Sequence, residues 1–179
     1  MTIRRCRESE HPAIAAVIND GAEAYRGVIP ADCWHEPYMS LAELERDIGA
    51  GVVFWGYETQ GMLSGVMGMQ RVQDVDLIRH AYVRREQQGR GIGRALIEHL
   101  RQQTTRPILV GTWAAARWAI EFYQRRGFDL VAADETPALL RRYWSIADRQ
   151  IETSVVLRGT ARCGHRTVCA AIASKIVAR

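Results

Sequence analysis

The spacing of apolar and polar residues along the chain predicts both strands and helices. Short runs in which apolar residues alternate or follow one another are typical of strands, and they occur at residues 2–7, 52–57, 64–70, 77–83, 107–112 and 150–157. Apolar residues at intervals of three and four are typical of amphipathic helices, and they occur at residues 12–19, 41–48, 92–100 and 115–126. Early hairpin-linked strands followed by a strand–helix–strand unit indicate an α/β domain with a mixed sheet.

Two of the predicted helices carry signals at their ends. Ser40 and Glu43 have the spacing of a capping box, in which each side chain binds the backbone N–H of the other residue. Gly127 follows a later helix and suits the left-handed turn that ends many helices. Between the first two helices, residues 20–39 combine glycine, proline and aromatic residues, which predicts an ordered but irregular segment.

Composition changes this picture in one respect, the location of positive charge. The chain of 179 residues has a size typical of one domain, and its net charge is +4. Residues 158–179 hold five basic residues and no acidic one, which leaves −1 for residues 1–157. We therefore predict a nearly neutral domain over residues 1–157 and a basic C-terminal extension over residues 158–179. A domain without a positive face is not expected to bind nucleic acid.

Several classes of protein are disfavoured by what the sequence lacks. No run of about 18 apolar residues is present, so no membrane-spanning helix is expected. The N-terminus lacks the apolar core of a secretory signal, so we expect a cytoplasmic location and four free cysteine thiols. Cys163, His165 and Cys169 could supply only three ligands, where a structural zinc site has about four. No metal is therefore expected.

The stretch with the clearest chemistry is a glycine-rich turn between a strand and a helix. Gly89, Gly91 and Gly93 follow the predicted strand at residues 77–83 and lead directly into a helix. Glycine lets the backbone approach a ligand closely, and the unpaired N–H groups at the start of a helix attract anions. Neighbouring arginines can add positive charge. These features predict a diphosphate site at residues 89–94, whereas the spacing fits neither a P-loop nor a dinucleotide-binding fingerprint.

Two segments resemble the motifs of the GNAT superfamily of N-acetyltransferases. Gln88, Gly91 and Gly93 match its Gln/Arg-x-x-Gly-x-Gly/Ala motif, and residues 119–128 match its later A-x-x-F-Y-x-x-x-G-F segment. The resemblance implies an α/β fold with a mixed, mostly antiparallel central sheet flanked by helices. It also implies that the strands at residues 77–83 and 107–112 splay apart and form a cleft for acetyl-CoA.

The resemblance further implies where acetyl-CoA binds. Its diphosphate is expected to contact the glycine-rich turn, and its pantetheine arm is expected to pair with the preceding strand as an added strand would. The thioester carbonyl would lie near the amide of Val83, which could stabilise developing negative charge. The residues expected at this site are Tyr82, Val83, Gln88, Gly89, Arg90, Gly91, Ile92, Gly93, Arg94, Ala119 and Phe122.

In this superfamily the amine attacks the thioester directly, so the resemblance implies a proton donor and a proton acceptor. Tyr123 matches the tyrosine that donates a proton to the departing thiolate. Many relatives carry a glutamate on the strand before the glycine-rich turn, and this strand has none. His80 is the candidate base on that strand, with Asp76 and ordered water as alternatives. Regular strand alternation would place Asp76, Ile78, His80 and Tyr82 on one face.

The acceptor is the part of the prediction that the sequence determines least. Aromatic residues are expected to form its pocket, and the candidates are Tyr25, Trp34, Tyr38 and Trp113. We expect a primary amine on a small molecule in an enclosed pocket. A protein or peptide amine, which would need an open groove, stays open as an alternative, and so does a catalytically inactive CoA-binding module. The resemblance also implies a homodimer.

Overall fold

The central feature of the fold is a seven-stranded sheet with helices on both faces. The computed structural model describes residues 1–160 of the chain. The strands in this part are β1 (Thr2–Arg5), β2 (Val52–Thr59), β3 (Met62–Val72), β4 (Val75–Val83), β5 (Ile108–Trp113), β6 (Asp129–Leu130) and β7 (Ser154–Gly159). The α-helices are α1 (His11–Ala22), α2 (Leu41–Gly49), α3 (Ile92–Gln102), α4 (Arg117–Gln124), α5 (Thr136–Tyr143) and α6 (Asp148–Glu152).

The sheet is mixed and mostly antiparallel, with the strand order β1-β2-β3-β4-β5-β7-β6. The first four strands form an antiparallel meander, and β7 is antiparallel to both β5 and β6. β4 and β5 are parallel. Parallel neighbours require a crossover connection, and α3 lies in the segment that provides it. This arrangement confirms the predicted fold class.

Helices cover both faces of β4. Side chains of α3 and α4 pack on one face, where they meet Ile78. The preceding residue, Leu77, points to the other face and packs against Leu140 of α5, because successive residues of a strand point to opposite sides. Further along that second face, α1 and α2 pack through Ile18 and Leu44. The C-terminal half of β4 therefore lies between two layers of helices.

Both helix-end signals predicted from the sequence are present. Before α2, the amide of Glu43 donates to Ser40 Oγ over 3.2 Å, and the amide of Ser40 donates to Glu43 Oε2 over 2.9 Å. This capping box satisfies two donors at the start of the helix that carries Asp47. After α4, Gly127 has a φ of +74°, a conformation that glycine adopts without strain.

The last predicted strand is wrong over its first half. The pattern predicts a strand over residues 150–157, but residues 148–152 form α6 and β7 begins only at Ser154. The carbonyl of Ala147 accepts hydrogen bonds from the amides of Gln150 and Ile151. Ile151 is the buried residue of α6 and packs against α5. Its neighbours Arg149, Gln150 and Glu152 favour helix by propensity.

A further helix, α5, lies in a stretch to which the sequence pattern assigns no element. Its signals are Pro137 in the first turn and the buried pair Leu140 and Tyr143, three residues apart. Two arginines separate the members of that pair. The apolar stripe is therefore too short to stand out from a polar stretch of sequence.

The described part of the chain ends shortly after β7. That strand runs to Gly159, two residues beyond the predicted end of the domain. Most of the predicted basic extension, with Cys163, His165 and Cys169, lies outside the described residues. Within residues 1–160, no helix combines the length and the apolar composition needed to cross a membrane. The same residues contain no group of three or more side chains placed to hold a metal ion.

Candidate active site

The candidate site lies where β4 and β5 separate. The two strands pair only between residues 76–78 and residues 108–110. Beyond that point β4 stays paired with β3, and β5 stays paired with β7. A wedge-shaped opening therefore passes through the sheet next to the C-terminal half of β4.

A β-bulge in β4 lies at the edge of this opening. Gly68 of β3 pairs with Arg79, and Val66 pairs with Tyr82, so His80 and Ala81 together oppose one residue of β3. His80 has a φ of +49°. A bulge adds one residue to a strand and shifts every later side chain to the other face.

The bulge corrects the predicted faces of β4. Arg79 and His80 are consecutive, yet both contact Asp47 of α2. Tyr82 packs on the same face as α1 and α2, whereas Ala81 packs against the cluster of α3. His80 and Tyr82 therefore do not share a face with Asp76 and Ile78, as regular alternation predicted. No glycine marks the bulge within β4, so the sequence carries no clear signal for it.

A cavity of about 680 Å³ lies between the opening and the helices α3 and α4, and we call it the α3–α4 cleft. This volume is within the range of small-molecule sites. Arg90 does not line it and is exposed. All the other residues predicted to bind the cofactor do line it, namely Tyr82, Val83, Gln88, Gly89, Gly91, Ile92, Gly93, Arg94, Ala119 and Phe122.

The start of α3 forms one end of the cleft. Gly91 precedes the helix with a φ of +80°, and no atom lies within 4 Å of the position that a Cβ would occupy there. The first helical hydrogen bond runs from the amide of Ala95 to the carbonyl of Gly91, so the three amides before Ala95 have no partner inside the helix. At Gly93 a Cβ would approach the ring of Phe122 to 3.2 Å. Glycine here therefore lets α3 pack closely against α4.

A second cavity of about 670 Å³ lies on the other side of the opening, and we call it the α2 cavity. Three of the four predicted acceptor residues, Tyr25, Tyr38 and Trp113, line it. Trp34 does not line it, although its ring contacts that of Tyr38 at a centroid distance of 5.3 Å. Six residues line both cavities, so the two spaces meet in the opening: Tyr25, Ile78, His80, Tyr82, Gly111 and Thr112.

His80 is hydrogen-bonded at this meeting point. Its Nε2 lies 2.6 Å from Asp47 Oδ2. Burial opposes the ionisation of Asp47, but the hydrogen bond with His80 and the nearby positive charges outweigh it, and the pKa of Asp47 is lowered. Because a carboxylate only accepts hydrogen bonds, Nε2 carries the hydrogen, and Nδ1 of a neutral His80 is the nitrogen able to accept a proton.

The alternative base, Asp76, lies away from both cavities. It is near the N-terminal end of β4, and its side chain is 3% exposed. Its carboxylate lies 3.7 Å from Arg71 and 3.8 Å from Arg106. These contacts give Asp76 a structural role at the closed end of the strand pair.

Comparison with known families agrees with this geometry. A family model described as the acetyltransferase (GNAT) domain matches residues 17–137, which include β4, the glycine-rich turn and α4. The chain belongs to the GNAT acetyltransferase family. It is an acetyl-CoA-dependent N-acetyltransferase, as the two sequence motifs predicted. No curated protein matches the chain in sequence.

Solved GNAT structures share the fold at low sequence identity. A GNAT-family acetyltransferase from Staphylococcus aureus Mu50 is 17% identical, with a TM-score of 0.66 over 90% of this chain and 99% of that one. PaiA N-acetyltransferase from Thermoplasma acidophilum, in complex with coenzyme A, is 14% identical, with a TM-score of 0.65 over 89% and 99%. A ribosomal-protein-alanine N-acetyltransferase from Brucella melitensis is 19% identical, with a TM-score of 0.60 over 89% and 99%.

In this GNAT acetyltransferase, Tyr123 of α4 lines the α3–α4 cleft and is only 5% exposed. Its ring meets Phe122 and Phe128 edge-on, at centroid distances of 5.0 and 5.5 Å. Burial, with a smaller contribution from Tyr25, raises the pKa of Tyr123. The phenol therefore stays protonated at neutral pH, as a proton donor must.

Arg126 is a residue of the cleft that the sequence did not predict. Its guanidinium lies over the ring of Phe122, 3.9 Å from the centroid. Its Nε is buried and has no hydrogen-bond partner within residues 1–160. Burial, and then the charges of Arg94 and Arg125, lower the pKa of Arg126. An incompletely paired guanidinium near the start of α3 fits the phosphate groups of the acetyl donor. Arg126 falls at an unspecified position of the second motif, which is why the resemblance did not assign it.

Replacing Arg126 with glutamine should weaken CoA binding by about 10- to 100-fold, the usual value of a hydrogen bond to a charged group. The affinity of the variant should also depend less on salt, because one phosphate contact is lost. Calorimetric titration with CoA at two salt concentrations measures both effects. The control is Arg125→Gln, which removes an exposed arginine that is paired with Glu121 at 2.9 Å. Equal CoA affinity in wild type and Arg126→Gln would exclude this role.

Proposed function

We propose that this acetyltransferase transfers the acetyl group of acetyl-CoA directly to a primary amine of a small molecule held in the α2 cavity. The observation that carries the proposal is the meeting of the two cavities between β4 and β5. A donor in one cavity and an acceptor in the other could reach each other through the sheet. No residue of the chain would need to carry the acetyl group.

Two contacts across the α2 cavity support a small acceptor. Arg149 Nε donates to Asp32 Oδ2 over 2.9 Å, and Trp113 Nε1 donates to the hydroxyl of Tyr38 over 3.3 Å. They join residues 32–38 to the far side of the cavity, so an extended peptide would have to break them. The name of the Brucella neighbour specifies a protein acceptor for that enzyme, but a shared fold does not decide the acceptor of this one.

The residues of the α3–α4 cleft fit the acetyl donor, which supplies an activated thioester. The diphosphate would bind the first amides of α3 and the guanidinium of Arg126. The amide of Arg84 donates to the carbonyl of Ser64 in β3. Because the backbone groups of successive strand residues point to alternate sides, the N–H and C=O of Val83 point away from β3 and toward the opening. Gln88 Nε2 donates to that carbonyl over 3.1 Å. The amide of Val83 is the group we assign to the carbonyl of the thioester.

The two proton transfers are assigned to opposite sides of the opening. Tyr123 donates the proton that the departing thiolate needs, since its phenol is buried and neutral. His80 accepts the proton that the acceptor ammonium loses, through the ring nitrogen that Asp47 does not bind. Asp47 acts on His80 and not on the substrate, so its role is to position the imidazole.

The test of the proposed function is acetyl transfer by the full chain. With acetyl-CoA and a panel of small primary amines, at least one amine should increase the release of free CoA thiol above the rate without amine. Peptides with free N-termini or lysines, tested in parallel, should give slower release. Faster release with peptides would indicate the protein-modifying alternative. Saturable acetyl-CoA binding without transfer to any amine would indicate an inactive CoA-binding module.

The remaining expectations from the sequence concern the setting of the enzyme. A cytoplasmic location, a homodimer and the lack of nucleic-acid and membrane partners stay predictions. So do the border between residues 157 and 158 and the separate nature of the basic extension. Sedimentation of the full chain would give the oligomeric state. The same measurement on a chain that ends at residue 160 would show whether the extension affects it.

A further inference from the structure

The α2 cavity is lined by equal numbers of carboxylates and guanidinium groups, but only the carboxylates all have close partners in the protein. Three carboxylates and three guanidinium groups line it: Asp32, Glu43, Asp47, Arg46, Arg79 and Arg149. Each carboxylate has a close partner in the protein, because Arg149 binds Asp32 at 2.9 Å, Ser40 binds Glu43 at 2.6 Å and His80 binds Asp47 at 2.6 Å. Arg149 is thereby paired as well. By contrast, Arg79 has only the distant carboxylate of Asp47, at 3.5 Å, and Arg46 makes no ion pair within residues 1–160.

Arg79 is held in place without a close carboxylate. Its Nη1 donates to Gln70 Oε1 over 2.8 Å, and the side-chain Nε2 of Gln70 in turn donates to the carbonyl of Ala50 over 2.9 Å. Its Nη2 lies 3.5 Å from both oxygens of Asp47, at the limit of hydrogen bonding. The side chain of Arg79 is 19% exposed, and burial lowers its pKa despite the charge of Asp47. A fixed, partly buried guanidinium with unused donors is suited to bind an anionic group of a ligand.

The bulge in β4 places this guanidinium beside the candidate base. Arg79 and His80 are consecutive and reach the same carboxylate of α2, so both face the α2 cavity. An acceptor whose amine reaches His80 would then have its neighbouring atoms near Arg79. Arg46, one residue before Asp47 and exposed at the same cavity, adds a second positive charge.

We propose that the acceptor is an amino acid or a similar amine with a carboxylate a few bonds from the nitrogen, and that Arg79 binds this carboxylate. The proposal rests on the proposed function and specifies its acceptor. Arg79 determines specificity in it, with Arg46 as a second cation. Tyr25, Tyr38 and Trp113 would then contact the rest of the acceptor.

The test compares amino acids with their own carboxamides, which keep the amine and the side chain but lose the negative charge. Calorimetry on the full chain saturated with CoA gives their affinities without requiring turnover. The panel contains small, aromatic and acidic L-amino acids, each with its amide. We expect at least one amino acid to bind about 10- to 100-fold more tightly than its amide.

Variants assign that preference to Arg79. Arg79→Gln should bind the amino acid as weakly as the amide, and Arg79→Lys should restore part of the difference because it restores the charge. Arg141→Gln, which removes an exposed arginine of α5 paired with Asp148 at 3.3 Å, should keep the full preference. If Arg79→Gln does not fold, the ratio of amino-acid affinity to amide affinity in the wild type and in Arg79→Lys still tests the proposal.

The results separate this proposal from the proposed function. Equal affinity for acids and amides, no binding by any member of the panel, or an equal loss of both in Arg79→Gln would overturn the carboxylate site. Transfer to amines without a carboxylate preference would leave the acetyltransferase proposal intact and reject the amino-acid acceptor. Preferential binding of an amino acid without acetyl transfer would support the carboxylate site and contradict the proposed function.

Discussion

Replacing Tyr123 with phenylalanine should lower kcat by about 10²- to 10⁴-fold, the usual contribution of a positioned general acid. The affinity for acetyl-CoA should change little, because the ring contacts with Phe122 and Phe128 do not involve the hydroxyl. Steady-state release of thiol gives kcat, and calorimetry gives the affinity. A loss confined to kcat would assign Tyr123 to the chemical step.

The pH dependence of kcat adds an independent readout. Burial raises the pKa of Tyr123, so the phenol keeps its proton throughout the neutral and mildly alkaline range. Deprotonation of Tyr123 should therefore cause no decline in kcat up to about pH 9. The control is Tyr57→Phe on β2, which removes a hydroxyl that donates to Met1 Sδ. If Tyr123→Phe retains wild-type kcat, the thiolate must receive its proton from water.

Local chemistry explains which parts of the site were predictable from the sequence. The turn at Gly89 and Gly91 is recognisable because a positive φ and an open approach to a helix start both favour glycine. The capping box at Ser40 and Glu43 is recognisable because its two hydrogen bonds join residues three apart. Tyr123 was assigned by resemblance, and the structure places it in the cleft with the predicted cofactor residues.

The features that escaped prediction depend on contacts between distant parts of the chain. The bulge at His80 is defined by the pairing of β4 with β3, and strand alternation alone gives the wrong face. The partner of His80, Asp47, is 33 residues away. Arg79 and Arg126 are ordinary arginines in the sequence. Partial burial without a close carboxylate partner distinguishes them from arginines on the surface.

Replacing His80 with alanine should lower kcat/KM by about 10²- to 10⁴-fold if it is the base that accepts the ammonium proton. Added imidazole should restore part of the activity, since the deletion leaves space beside Asp47. Loss of activity without rescue by imidazole would favour a structural role for His80 and leave ordered water as the base.

Asp47→Asn tests the positioning of His80 by its hydrogen-bond partner. The value of kcat/KM should fall by about 10- to 100-fold, because a side-chain amide, unlike a carboxylate, no longer specifies which ring nitrogen of His80 carries the hydrogen. Glu45→Gln, at an exposed position of the same helix, should leave kcat/KM unchanged. If Asp47→Asn causes the same loss of activity in a His80→Ala background, Asp47 supports the fold of the cavity and does not act through His80.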